Sequence, residues 1–258
     1  MEQRFAFDEI ADVYRAARPG YPEALIEDVV SYADLKQGDK ILEVGCGTGQ
    51  ATKSFAERNL SILAIDPGPE MLREAREVLA GFGSVDFLET SFEAWPVKQG
   101  AFRLIVAAQS WHWVSAGVRF IKAAEALASD GSLAIFGQVP VGLPAPLLAR
   151  FKDIYLRHTG KSGPPPEARY LPDGPFKAWF EESGMFGPVT HMGYPWKWPH
   201  TASSYTDFLR TRSEHRMLEF AKREAMLDEF AQAIDRHGGR FTMDYETHLY
   251  IARRLDRE

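Results

Sequence analysis

The chain has 258 residues, with 30 Lys and Arg against 36 Asp and Glu for a formal net charge of -6, 45% hydrophobic residues and one cysteine, Cys46. That length suits a single α/β domain carrying a sizeable insertion, and an acidic balance without a basic run excludes a protein built to neutralise nucleic-acid phosphates. One cysteine cannot form an internal disulfide, no apolar run approaches the ~18 residues of a membrane span, and MEQRFAFDEI carries acids where a signal peptide needs an apolar segment. A cytoplasmic protein without nucleic-acid or membrane partners is the expectation.

In chain order, Pro22 opens a helical pattern over 22–33, since proline is tolerated in a first turn. Lys40 to Val44 reads as a buried strand running into Gly45-Cys46-Gly47-Thr48-Gly49, and QATKSFAERN as the helix after it. A second strand over 61–65 closes at Asp66, and a helix follows over 67–79. Strands over 85–88 and 102–108, a helix near 116–128, an Asp130-Gly131 turn and a strand over 132–136 complete five alternations. That rhythm predicts a parallel sheet covered by helices on both faces. Beyond 137 the Pro- and Gly-rich stretches QVPVGLPAP and GKSGPPPEARYLPDGP read as loops beside helical pieces near 145–158 and 175–183. Tyr194, Trp196 and Trp198 at period two predict a strand over 188–198, followed by helices near 202–212 and 217–236 and a last strand over 247–252.

A strand, a glycine turn and a helix make a nucleotide site, because glycine lets backbone approach a ligand closely. The dinucleotide fingerprint starting at Gly45 needs Gly or Ala where Gln50 stands; starting at Gly47, it meets Thr52. The Gly-Lys-Ser/Thr of a phosphate-binding loop is absent from this strand-to-helix turn. What stands there is Glu43-x-Gly45-x-Gly47-x-Gly49, whose bland alternative is a tight turn with no ligand. Asp66, 17 residues past Gly49, ends the second strand, where an acid can accept from both ribose hydroxyls or cap the segment from Pro67.

The glycine loop resembles the first motif of the class I S-adenosylmethionine-dependent methyltransferases. With Asp66, the Glu89 to Pro96 segment and the Leu127 to Leu133 turn, the resemblance covers about residues 5 to 137. Phe7-Asp8-x-x-Ala11-x-x-Tyr14-x-x-x-Arg18-Pro19-x-Tyr21-Pro22 and the closing Leu249 to Arg254 are similar to the small-molecule branch that includes the trans-aconitate methyltransferases. It implies a Rossmann-like α/β fold: a mostly parallel seven-stranded sheet, helices on both faces and a substrate-side insertion. Residues 1–137 would form the cofactor-binding core with N-terminal covering helices. Residues 138–210 would form the insertion, lid and acceptor pocket with a late strand, and 211–258 the helix and last strand completing the sheet.

The same resemblance implies S-adenosylmethionine as cofactor, held by Tyr14, Arg18, Glu43, Gly45, Cys46, Gly47, Gly49, Asp66, Pro67, Met71, Ser91, Phe92 and Gln109. Thr90 and Ser91 stand where many relatives have Gly and Asp, so the adenine contacts depart from theirs. The fourth strand ends in Gln109-Ser110-Trp111-His112-Trp113, the place that faces ligands in an open α/β sheet. Gln109, Trp111 and His112 are the catalytic candidates, and packing beneath the next helix is their structural alternative. As a base, His112 would titrate near its ordinary pKa of about 6.5. Arg210, Arg212 and Arg216 are candidates to hold an acidic substrate, and no His, Cys or acid spacing suits a metal. The expected partner is a small molecule, with carboxylate O-methylation as the first reading and another oxygen, nitrogen or carbon acceptor as the next. A non-catalytic S-adenosylmethionine-binding protein and a nicotinamide-dependent oxidoreductase remain as alternatives, and the chain is expected as monomer or homodimer.

Overall fold

The computed structural model describes residues 8–161 and 165–256; Phe7 of the N-terminal pattern lies outside them. Its elements are α1 (Ala11–Ala17), α2 (Glu23–Tyr32), β1 (Lys40–Val44), α3 (Gln50–Ala56), β2 (Ser61–Asp66), α4 (Pro69–Val78), β3 (Val85–Glu89), β4 (Phe102–Ala108) and α5 (Arg119–Ala126). Then follow β5 (Leu127–Gly142), α6 (Ala145–Thr159), α7 (Phe176–Ser183), β6 (Thr190–Thr201), α8 (Ala202–Arg210), α9 (Ser213–Arg216), α10 (Phe220–Arg236) and β7 (Arg240–Arg253). One seven-stranded sheet runs in the order β3-β2-β1-β4-β5-β7-β6. The first five strands pair in parallel, while β7 pairs antiparallel with both β5 and β6.

Buried parallel strands need apolar residues on both faces, and β1 supplies them. Ile41 joins the core on one face, with Phe55, Leu104 and Phe136, whereas Leu42 and Val44 join the other, with Ile105, Phe120 and Phe180. A third apolar cluster lies at the β6–β7 end: Phe151 of α6, Leu209 of α8 and Phe230 of α10 meet Phe241, Met243 and Tyr245 of β7. Among the described residues no helix is long and apolar enough to cross a membrane.

Three sequence expectations change. The Asp130-Gly131 turn is absorbed into β5 as a register shift, with Phe102 opposite Leu127 but Leu104 opposite Ser132. The last strand begins at Arg240, not Thr247, because β6 and β7 pair without interruption from Thr201↔Arg240 to Thr190↔Ile251. The helix expected over 217–236 starts at Phe220, where Glu219 caps it by accepting from the Ala221 and Lys222 amides; capping satisfies amides that a helix start leaves without partners.

Candidate functional site

The carboxyl ends of β1, β2, β3 and β4 open onto a cavity of about 440 Å³, roofed by the segment Pro166–Tyr170 and by α9. Its wall includes Tyr14, Arg18, Gly45, Gly47, Asp66, Pro67, Met71, Ser91, Phe92, Gln109 and His112. These residues, scattered over a hundred positions of sequence, meet because parallel strands carry their terminal loops to one edge.

The glycine loop shows what that wall can hold. Gly47 has φ +55, a left-handed conformation that glycine adopts without cost, and a Cβ built on it meets nothing within 4 Å. Any side chain there would project from the lining where a ligand could otherwise lie. Asp66 is aimed by the backbone: Oδ2 accepts from the Gly47 amide and Oδ1 from the Gly68 amide, each at 2.9 Å. A carboxylate has about four acceptor positions, so these bonds orient the group without exhausting it. The wall thus combines a carboxylate suited to a diol, apolar Met71 and Phe92 suited to an adenine, and the cation of Arg18 suited to a carboxylate. That donor set fits S-adenosylmethionine. Arg18 is itself anchored, its Nε donating to Thr211 Oγ1 at 2.9 Å and its Nη2 to Thr211 O at 3.0 Å, which ties the N-terminal segment to the end of α8.

Four candidates stand behind the wall. Cys46 and Gly49 do not line the cavity, and burial pushes the Cys46 thiol well up. Glu43 is buried beneath the loop, and burial raises its carboxyl to about 8 against an opposing contribution from the Thr52 hydroxyl, so it is mostly protonated at neutral pH. Trp111, expected to face the reacting group, turns inward instead: it is fully buried against Phe92 and Phe120, at ring distances of 5.6 and 5.7 Å. The cause is the short 3-10 turn Trp111–Trp113, in which successive side chains diverge, so that His112 and Trp113 line the cavity.

Gln109 begins that turn with φ +60, a strained conformation for a residue with a Cβ. The strain is held by β5: Gln109 Oε1 accepts from the Gln138 amide at 2.7 Å and its Nε2 donates to Gln138 O at 3.3 Å. The amide of Gln109 therefore props the loop. His112 Nδ1 lies 3.2 Å from the Tyr170 hydroxyl. Burial, with the nearby Arg169 charge adding, lowers His112 to about 3, so its expected titration near 6.5 is displaced far to acid.

Sequence reasoning did not find Lys161, Glu167, Arg169 or Glu214, which also line the cavity. They stand in or beside proline-rich loops and short turns, where no periodicity marks an inward face. Of the three arginines singled out, Arg212 reaches the cavity and pairs with Glu167 at 2.7 Å and Glu214 at 2.6 Å. Arg210 pairs with Asp207 and Glu224, and Arg216 with Glu9, neither in the cavity wall. Among the described residues no group of three or more His, Cys, Asp or Glu could hold a metal ion.

The methyltransferase domain family matches residues 41–131. Within that segment the chain is similar to methyltransferase domains. An uncharacterized methyltransferase of Mycobacterium tuberculosis is 31% identical over 134 residues, which is 52% of each chain. The chain thus spans about half the length of the curated relatives it matches. Among solved structures, one described as a type II methyltransferase from Anaeromyxobacter dehalogenans superposes with a TM-score of 0.68 at 20% identity, covering 93% of this chain and 99% of that one. Phosphoethanolamine N-methyltransferase 2 of Haemonchus contortus, solved with phosphomonomethylethanolamine and S-adenosylhomocysteine, gives 0.59 at 12% identity over 99% of this chain and 61% of that one. Identities this low speak to the fold alone.

Proposed function

We propose that this methyltransferase core acts on a small carboxylate-bearing molecule, methylating a carboxylate oxygen. The observation that carries the reading is the pairing, in one cavity, of the Gly47 hollow and Asp66 with Arg169 beside a neutral His112. When bound, S-adenosylmethionine supplies a sulfonium methyl open to in-line displacement. The chain's residues align and dehydrate the partners, which is most of what such a displacement requires. In this reading Asp66 accepts from the ribose, Met71 and Phe92 cover the adenine, and Tyr14 and Arg18 meet the methionine end.

At the acceptor end, Arg169 donates Nε to Pro166 O at 2.8 Å, which leaves its terminal amino groups for an anion. Lys161 adds a second cation in the same wall. A carboxylate is ionised at neutral pH, so it needs no base; His112 holds it by a hydrogen bond. Residues 138–210, with Arg169 and Tyr170, serve here as lid and acceptor pocket.

Incubation of the chain with labelled methyl donor and a panel of mono-, di- and tricarboxylates, phenols, amines and thiols tests this. Turnover is expected with carboxylates. His112→Ala is expected to lower it by about 10²-fold through misplacement of the acceptor, with cofactor affinity unchanged. Turnover confined to phenols or amines would contradict the carboxylate reading.

A further inference from the structure

We propose that Tyr170 is a positioning residue that fixes His112 as an Nε2–H donor, so that the site offers its acceptor a hydrogen bond and no base. The inference rests on the methyl-transfer reading above and adds the proton inventory of the acceptor end.

The Tyr170 hydroxyl is fully buried, and its recorded partner is His112 Nδ1 at 3.2 Å. A phenolic hydroxyl carries one hydrogen that must be donated, and a buried donor without an acceptor is costly. Among the described residues that hydrogen goes to Nδ1. Were Nδ1 itself protonated, it would donate to the phenol oxygen and strand the phenol hydrogen. Nδ1 therefore accepts, and a neutral imidazole with Nδ1 unprotonated carries its hydrogen on Nε2. Burial and the Arg169 charge, which keep His112 neutral, agree with this assignment.

Tyr170 cannot turn away to relax the bond. Its ring lies flat against β5 at Gly137, where an added Cβ would come 2.6 Å from the ring atoms. Phe176 packs on it at 4.5 Å. From β7, the Tyr250 hydroxyl reaches the carbonyl oxygens of Tyr170 at 3.0 Å and Leu171 at 2.8 Å, pinning the backbone that follows the ring. Two late strands thus hold the phenol, and the phenol holds the imidazole. Such a support selects acceptors: an oxygen that arrives as an anion fits an Nε2–H donor, whereas a neutral phenol or ammonium group finds no proton acceptor on His112.

Nitrogen-15 NMR of the histidine-labelled chain at pH 7 reads the tautomer with no acceptor or turnover required, so its outcome is independent of the substrate reading. The wild type is expected to show Nδ1 unprotonated and Nε2 protonated. Tyr170→Phe is expected to shift His112 toward a mixture of tautomers and to lower kcat about tenfold, the loss of one ordinary hydrogen bond, while the KM for S-adenosylmethionine stays unchanged. A role confined to packing would lower kcat without moving the tautomer. An Nδ1–H tautomer in the wild type, which needs no variant to observe, or an unchanged tautomer in folded Tyr170→Phe would overturn the proposal.

Discussion

Stability is expected to peak just above pH 6.5 and to fall toward acid with a slope that steepens to about 2.7 kcal/mol per pH unit. Burial lowers His200 and His215 to about 4 and, with the Arg169 charge, His112 to about 3. In the unfolded chain all three protonate near their ordinary value of about 6.5. As the pH falls from there toward 4.5, the unfolded chain takes up three protons that the folded chain refuses. Glu43 acts in the opposite sense: its folded carboxyl keeps its proton up to about 8, so its contribution is largest in acid and declines as the pH rises through 4.5 to 8. Two protons net from these four groups set the minimum acid slope, to which burial of His191 and His248 adds in the same sense, and Glu43 gives a gentler decline above 6.5. Two pH units then consume about 4 kcal/mol, close to the lower end of a whole domain's stability.

The acid slope has an identifiable contributor that can be removed without touching the cavity. Both ring nitrogens of His200 are buried among Trp198, Tyr205, Phe208 and Phe241, and among the described residues neither has a hydrogen-bond partner. Replacing such a group by an apolar one of similar shape removes a desolvation cost of about 1–3 kcal/mol. His200→Phe is therefore expected to raise the urea midpoint at pH 7 and to flatten the acid limb. Urea unfolding followed from pH 4.5 to 8 checks both, and a flat profile between pH 5 and 7 would refute this account of the buried histidines.

The second large effect concerns the roof. Arg212 is 6% exposed and joins Glu167, 14% exposed, from the segment Pro166–Tyr170 to Glu214 of α9, 31% exposed. Burial opposes ionisation of Glu214, but the Arg212 charge and hydrogen bonds more than offset it and hold its carboxyl below the usual range. Removing the cation from such a cluster leaves carboxylates buried without compensation, which costs about 3–5 kcal/mol. Because Glu214 can partly rehydrate, Arg212→Met is expected at the low end, about 3 kcal/mol. Adding Glu167→Gln should return part of that loss, since it removes one of the stranded charges. Urea denaturation of the single and double variants measures this, and a loss below 1 kcal/mol would mean the roof is not held by this cluster.

Much of the core was legible because its signals are local. β1 and β4 fall where runs such as Lys40 to Val44 and Phe102 to Ala108 are bounded by turn residues, and Asp66 ends β2 as its spacing implied. The early part of β7 was missed although Phe241, Met243 and Tyr245 alternate at period two. Threonine, aspartate and glutamate between them hid a strand whose other face is only partly covered. Trp111 and His112 read alike as candidates at the ligand-facing end of β4, but the positive φ of Gln109 and the tight turn after it send them to opposite sides of the wall. No sequence pattern announces Arg169 as a cavity residue, and the sequence offers Tyr170 only as one of several insertion aromatics that wall a cavity or form a satellite core. Their place depends on long-range contacts with Gly137, Phe176 and Tyr250, which meet only in the folded chain.

The central claim is that the glycine loop and Asp66 hold S-adenosylmethionine, and calorimetric titration of the full chain tests it most directly. S-adenosylmethionine and its demethylated product are expected to bind with one site, and NAD to give no binding heat. Asp66→Ala should weaken S-adenosylmethionine by about 30- to 150-fold, or about 2–3 kcal/mol, the worth of hydrogen bonds to a charged group, with the fold retained. Binding of NAD as tight as that of S-adenosylmethionine, or an Asp66→Ala variant of unchanged affinity, would contradict it.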